Sequence, residues 1–144
     1  MTQGSETIFK SSWWSVTVPP NWRAVENSEC VTLCGTAFDS ALQISAARKE
    51  QGYITDEDLK DFSIEQYDKK LLQKMNTTNF TGFYIERVLG DTLWREWWLR
   101  SEHLMIYVSY NINKRFKEAE KLLVDGIVQS LQMIQPWGGE APPI

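Results

Sequence analysis

Residues 83–110 read FYIERVLGDTLWREWWLRSEHLMIYVSY, and positions 94–100 within them read WREWWLR. Three tryptophans, two arginines and a glutamate share those seven positions. Gly90-Asp91 and Ser101-Glu102 divide the run into three segments, near 80–89, 92–100 and 103–111. Each is rich in aromatic and β-branched residues and is bounded by short polar turns, so the three form an antiparallel meander. Two-residue turns set Val88 opposite Leu93, Glu86 opposite Arg95 and Tyr84 opposite Trp97. On the second hairpin they set Leu99 opposite Leu104, Trp97 opposite Ile106, Arg95 opposite Val108 and Leu93 opposite Tyr110. The Glu86–Arg95 pair is complementary across strands, which supports the register.

In this register the meander has two faces. One collects Tyr84, Val88, Leu93, Trp97, Leu99, Leu104, Ile106, Val108 and Tyr110, and reads as core. The other carries Phe83, Ile85, Arg87, Trp94, Glu96, Trp98, Arg100, His103, Met105 and Tyr107. A solvent face of an antiparallel sheet is expected to be polar, yet this one mixes rings with charge. Two readings stay open. A helix covers the face, with Arg87 stacked on Trp94. Alternatively the face is left partly bare and grips a partner through Trp94, Trp98, Arg87, Met105 and Tyr107, residue types enriched at interface centres.

Outward from the meander, WWSVTV at 13–18 reads as a strand stopped by Pro19-Pro20, which lack the ladder N–H. Trp14 is in phase with Val16 and Val18 and faces the core, with Trp13 on the outer side. Trp22 reads as a plug on the sheet end. Residues 30–38 and the alternating ALQISAARKE at 41–50 give two more strands. Thr55-Asp56-Glu57-Asp58 is a helix start, with Thr55 as cap and acids at the positive end of the dipole. That helix is expected to reach Met75, with Leu59, Phe62, Ile64, Tyr67, Leu71 and Met75 as its apolar residues. Asn113 caps a last helix to about Ile134, striped by Phe116, Ala119, Leu122, Leu123, Ile127, Val128 and Leu131. The predicted order is β-β-β-α-β-β-β-α, an α+β fold with a six-stranded antiparallel sheet. Residues 1–135 make one domain and the Pro/Gly-rich 136–144 a flexible tail.

The string Val18-Pro19-Pro20-Asn21-Trp22 resembles the opening of the PsbP-like superfamily, which includes the DcrB-like bacterial proteins. The three strands, the helix opening TDED at 55–58, the three further strands and the last helix are similar to that family over nearly the whole chain. The resemblance implies an α-β-α sandwich. It also implies non-catalytic work: binding a partner protein, assisting an assembly or chaperoning an exported effector. It supplies no catalytic residues to carry over.

Composition narrows the function further. The 144 residues carry a net charge of −4 with a pI near 5.0. Nucleic-acid affinity comes mainly from phosphate neutralisation, so that class of partner is not expected. Nor is an anionic membrane surface. No run approaches the roughly 20 apolar residues of a membrane helix, and the N-terminus shows no signal-peptide pattern, so a cytoplasmic protein is expected. Cys30 and Cys34, if on a strand, are about 13 Å apart, too far for a disulfide, and read as free thiols. His103 is the single histidine and reads as an exposed turn residue with no nucleophile near it in sequence. Glu57/Asp61 and Glu65/Asp68 read as a solvated helix face. No nucleotide or metal motif is present, and no cofactor or catalysis is expected. The expected function is therefore a protein-binding domain, an adaptor or chaperone for a bacterial assembly or secreted effector. The alternatives are an apolar-ligand module, with an aromatic cavity between the sheet and the first helix, and an immunity-type inhibitor of a basic toxin. A homodimer stays open, because a six-stranded sheet has two edges.

Overall fold

The computed structural model describes residues 6–28, 30–63 and 71–134. The strands are β1 (Thr7–Lys10), β2 (Trp14–Val18), β3 (Trp22–Glu26), β4 (Val31–Gly35), β5 (Ala41–Arg48), β6 (Gln73–Asn76), β7 (Thr81–Leu89), β8 (Thr92–Ser101), β9 (Leu104–Asn113) and β10 (Gln132–Met133). The helices are α1 (Asp56–Ser63) and α2 (Lys121–Gln129). Seven strands form one antiparallel sheet in the order β3-β4-β5-β9-β8-β7-β6, and β1-β2-β10 form a second, smaller one. The predicted six-stranded sheet is corrected in two ways. The predicted first strand, β2, belongs to the small sheet, and the large sheet gains β3 and β6 at its edges.

The VPPNW string is the corner between the two sheets. Trp22 N–H donates to the Pro19 carbonyl at 3.2 Å, and Asn21 holds the left-handed backbone (φ 70°) that asparagine tolerates. The chain thus leaves β2 and enters the large sheet as β3. Trp22 is the first residue of that edge strand rather than a plug on the sheet end. It pairs with Gly35, and a Cβ there would lie 2.8 Å from its ring carbons. The missing side chain at position 35 is what lets the indole lie flat on the sheet.

In the meander the β7–β8 register is as expected: Val88, Glu86 and Tyr84 face Leu93, Arg95 and Trp97. Gly90, with φ 60°, makes the tight turn. The β8–β9 register is corrected by two residues. Ser101 faces Leu104, so Leu99 faces Ile106, Trp97 faces Val108, Arg95 faces Tyr110 and Leu93 faces Ile112. The turn falls on Glu102-His103 rather than Ser101-Glu102, because Glu102 takes the left-handed conformation (φ 54°). Moving a turn by one residue shifts the register by two. A shift of two leaves every side chain on its predicted face.

The large sheet is the middle layer, with a core on each side. On the first face Leu33, Leu42, Ile44, Trp97, Leu99, Ile106, Val108 and Ile112 meet Trp14, Val16 and Val18 of β2 and Val124, Ile127, Val128 and Leu131 in and just after α2. Trp14 is therefore core, as its phase requires, and Trp13 is half-buried beneath the Arg48 guanidinium. The second, smaller core joins Ile54 and Leu59, at α1, to Phe83, Ile85 and Trp98. The α-β-α layering holds, except that α2 shares its layer with the small sheet.

Both helices are shorter than their apolar spacing predicts. Residues 73–76 are strand β6, paired with β7, so the first helix does not reach Met75. Met75 instead packs against the first-face core, and Leu71 is exposed. Ile64 and Tyr67 lie outside the described residues. At the C-terminal end, Asn113 does cap a helical start: its side chain accepts from the Arg115 N–H. That start is a 3-10 turn over Lys114–Phe116, and α2 begins only at Lys121. Ser130 closes α2, its N–H donating to Gly126 and Ile127 while its Oγ accepts from the Thr17 N–H at 2.9 Å. Leu122, at 84% exposure, and Leu123 face outward, contrary to the predicted stripe. The tail at 136–144 lies outside the described residues.

Candidate functional site

The second face is built by β7, β8 and β9 and partly roofed by α1. Helix α1 starts where its sequence directs. Thr55 Oγ1 accepts from the Asp58 N–H at 3.1 Å and the Asp58 carboxylate accepts from the Thr55 N–H at 2.8 Å, a reciprocal capping box. Asp58 also pairs with Lys49, and Asp56 with Arg100 of β8 at 2.7 Å and Lys74 of β6 at 3.3 Å. These pairs pin the helix start to the sheet and drop Leu59, fully buried, onto Phe83, Ile85 and Trp98.

The five predicted partner-binding residues divide. Trp98 is 2% exposed and belongs to the core under α1, so the expectation that it faces a partner does not fit its place. Trp94, Arg87, Met105 and Tyr107 are half-buried, on the same face. Tyr107 is central. Its ring lies 5.4 Å from Trp98 and 6.1 Å from Phe62 of α1, and its hydroxyl donates to Glu96 Oε2. Glu96 is buried in the sheet, with Arg87 Nε 3.9 Å from its other oxygen. A buried carboxylate is tolerated where it is paired and hydrogen-bonded. Phe62 is 55% exposed and Tyr53, stacked edge-on against His103, is 64% exposed. The outer part of the face is thus an aromatic patch of Phe62, Tyr107, Met105 and Tyr53 bordered by the acids of α1. His103 is half-buried, with Nδ1 2.6 Å from the Gly52 carbonyl.

The ion pairs of α1 carry a pH signature. The Arg100 hydrogen bond holds the Asp56 carboxyl below its usual range, against the opposing effect of burial. Asp58 is lowered in the same direction, first by Lys49. A lowered folded-state pKa stabilises above the unfolded carboxylate value, about 3.9, and that stability is lost as pH falls through the folded value. Protection of α1 amides from hydrogen exchange is therefore expected to fall below about pH 4 before the β8–β9 amides lose theirs. In Asp56→Asn part of that dependence disappears.

On the first face a buried charged residue of β8 stands in core phase. Arg95 lies between Leu93 and Trp97 in the alternation and is 5% exposed. Its Nη2 donates to Asp125 of α2, its Nε to the Tyr84 hydroxyl at 2.8 Å, and its guanidinium lies over the Trp97 and Tyr84 rings. Burial alone would lower its pKa; the bonds to Asp125 and Tyr84 outweigh that and raise it. The expected direct Glu86–Arg95 pairing is replaced by a relay, since Tyr84 donates to Glu86 at 2.6 Å. Burial, then that bond, pushes Tyr84 up to about 12. Beside this cluster Glu120 accepts from both Ser40 and Tyr110 at 2.7 Å, tying β9 and the start of β5 to the head of α2. An arginine in core phase, with Glu86 set opposite it, was the visible sign of this array. Its partner Asp125 depends on how α2 docks, which spacing along the chain does not encode.

Cys30 and Cys34 are free and half-buried, as expected. Among the described residues no three His, Cys, Asp or Glu side chains are placed to share a metal ion. No described helix is long and apolar enough to cross a membrane.

No family model and no curated protein matches the chain. Solved structures do. A crystal structure from Bacteroides thetaiotaomicron superposes with a TM-score of 0.68 at 15% identity over 93% of this chain, which spans 50% of that one. The solution structure of the cyanobacterial PsbP, CyanoP, from Synechocystis superposes with a TM-score of 0.62 at 11% identity, over 90% of this chain and 93% of that one. At these identities the likeness is one of fold, and it covers 90–93% of this chain rather than a single motif. The fold of this chain is PsbP-like.

Proposed function

We propose that this chain is a non-catalytic protein-binding domain and that its partner seats on the outer part of the second face. The observation that carries this reading is a roof that, among the described residues, is incomplete. Helix α1 seals Trp98 but leaves Phe62 and Tyr53 exposed and Tyr107 and Met105 half-exposed beside it. Aromatic and methionine side chains gathered this way are the composition of an interface centre. The net charge of −4 suits a partner with a basic rim, since opposite charge speeds encounter. An adaptor or chaperone for a bacterial assembly or secreted effector fits this surface; an immunity-type inhibitor of a basic toxin is a variant of the same idea.

The test is capture from the native host, with wild type beside Phe62→Glu and Tyr107→Glu, read by mass spectrometry. Phe62→Glu leaves the core untouched and is expected to abolish capture of one specific protein while the thermal melt stays unchanged. Retention of that protein by both variants would place its docking surface elsewhere.

A further inference from the structure

Helix α2 turns one side away from the core, and that side carries a knob and a hole. Leu122 is 84% exposed, while Val124, Ile127 and Val128 are buried. One turn further on, at Gly126, a Cβ would meet nothing within 4 Å. Gly126 opens into a groove of about 340 Å³, walled by Leu123 and Ile127 of α2 and by Thr17 and Pro19 at the end of β2, with Glu6 also along it. Ile8, itself exposed, pairs with Thr17 across β1 and β2 and extends this apolar side. Exposed apolar side chains gathered in this way mark a contact surface. We infer that two copies of this chain meet here, α2 against α2. A two-fold axis level with residue 124 runs the helices antiparallel and seats each Leu122 over the partner's Gly126, so that one exposed leucine fills one open groove twice.

A second copy suits the surface because knob and hole lie one helical turn apart, about 5.4 Å, on the same face. A surface with both fits itself, and an unrelated partner would have to bring the same pair at the same spacing. Charge agrees with this. Lys121, exposed beside Leu122, is opposite in sign to exposed Glu6 of the groove that receives it, and two-fold symmetry forms that pairing twice. The nine residues of α2 span about 13 Å. A contact of that length, widened by Ile8 and Pro19, is small beside the roughly 800 Å² per partner of a standard interface. The dimer is therefore a weak one, formed at about 500 μM and dissociated at about 5 μM. It lies on the layer opposite α1 and leaves Phe62 and Tyr107 uncovered, so it stands or falls independently of the proposed function.

The test is the mass of the full chain in solution, read by light scattering. It is expected to rise from 16.7 kDa at about 5 μM towards twice that at about 500 μM. Leu122→Lys removes the knob and Gly126→Leu fills the hole, both at exposed positions. Each is expected to hold the mass at the monomer over that range, with circular dichroism showing the chain still folded. The register has its own readout. Leu122→Cys and Gly126→Cys chains, each also carrying Cys30→Ser and Cys34→Ser, are mixed under mild oxidation. The mixed disulfide is expected to form faster than either variant's own, because only positions 122 and 126 come within disulfide reach across the axis. A chain that stays monomeric at about 500 μM overturns the inference, which is also the result if another protein or another segment of the chain fills the groove. So does a dimer that survives either Leu122→Lys or Gly126→Leu, or a mixed disulfide that forms no faster than the others.

Discussion

Trp98→Asp is expected to unfold the domain rather than strip it of a partner. The indole is sealed under α1 against Leu59, Phe83 and Ile85, with Tyr107 beside it. Truncating a buried aromatic costs about 3–5 kcal/mol. The aspartate adds the burial of a carboxylate among apolar side chains, and an uncompensated buried charge costs several kcal/mol more. The sum reaches the whole stability of an ordinary domain, about 5–15 kcal/mol. Circular dichroism at 25 °C is expected to show loss of the native signal and of any cooperative melt. A folded Trp98→Asp with a melt near wild type would mean that α1 does not close on this face, and the division of the face into core and surface would be wrong.

The same residue shows what could be read from the chain and what could not. Alternation along β7, β8 and β9 assigns each of their side chains to a face, and the β8–β9 register error of two residues changed none of them. Whether a face is roofed is a different question. It depends on how α1 docks, and that is set by Asp56, Arg100 and Lys74, residues far apart in sequence. The edge strands were missed for a related reason. QKMN at β6 has little intrinsic strand preference and is extended because β7 offers it a free edge. For α2, the apolar residues on two sides of the helix allowed more than one buried stripe. Tertiary contact with β2 selected Val124, Ile127 and Val128 and left Leu122 in water.

The second large effect is expected at Gly82, and it has an internal control. On β7, a Cβ at position 82 would lie 1.9 Å from the Trp98 carbonyl oxygen and 2.9 Å from its carbonyl carbon, on the paired strand. These are backbone atoms of a central ladder and cannot swing away. Gly82→Ala must therefore push β7 off β8, and a destabilisation of at least about 3 kcal/mol is expected, at the upper end of overpacking costs. Gly126, in the middle of α2, has nothing within 4 Å of where its Cβ would lie. Alanine there is expected to stabilise by about 0.5–1 kcal/mol through helix propensity and a less free unfolded chain. Urea unfolding of the two variants beside wild type checks both signs at once. Equal effects would contradict the strand spacing described for β7 and β8.

The central claim, that the uncovered aromatic part of the second face is a protein-docking surface, is tested most directly by a photo-crosslinking residue placed in the native host at position 62 and, separately, at position 88. Phe62 and Val88 are similarly exposed, but Val88 lies near the β7–β8 turn on the other face. One discrete crosslinked protein from position 62 and none from position 88 is the predicted result. The absence of any adduct from position 62, or the same adducts from both positions, would contradict it.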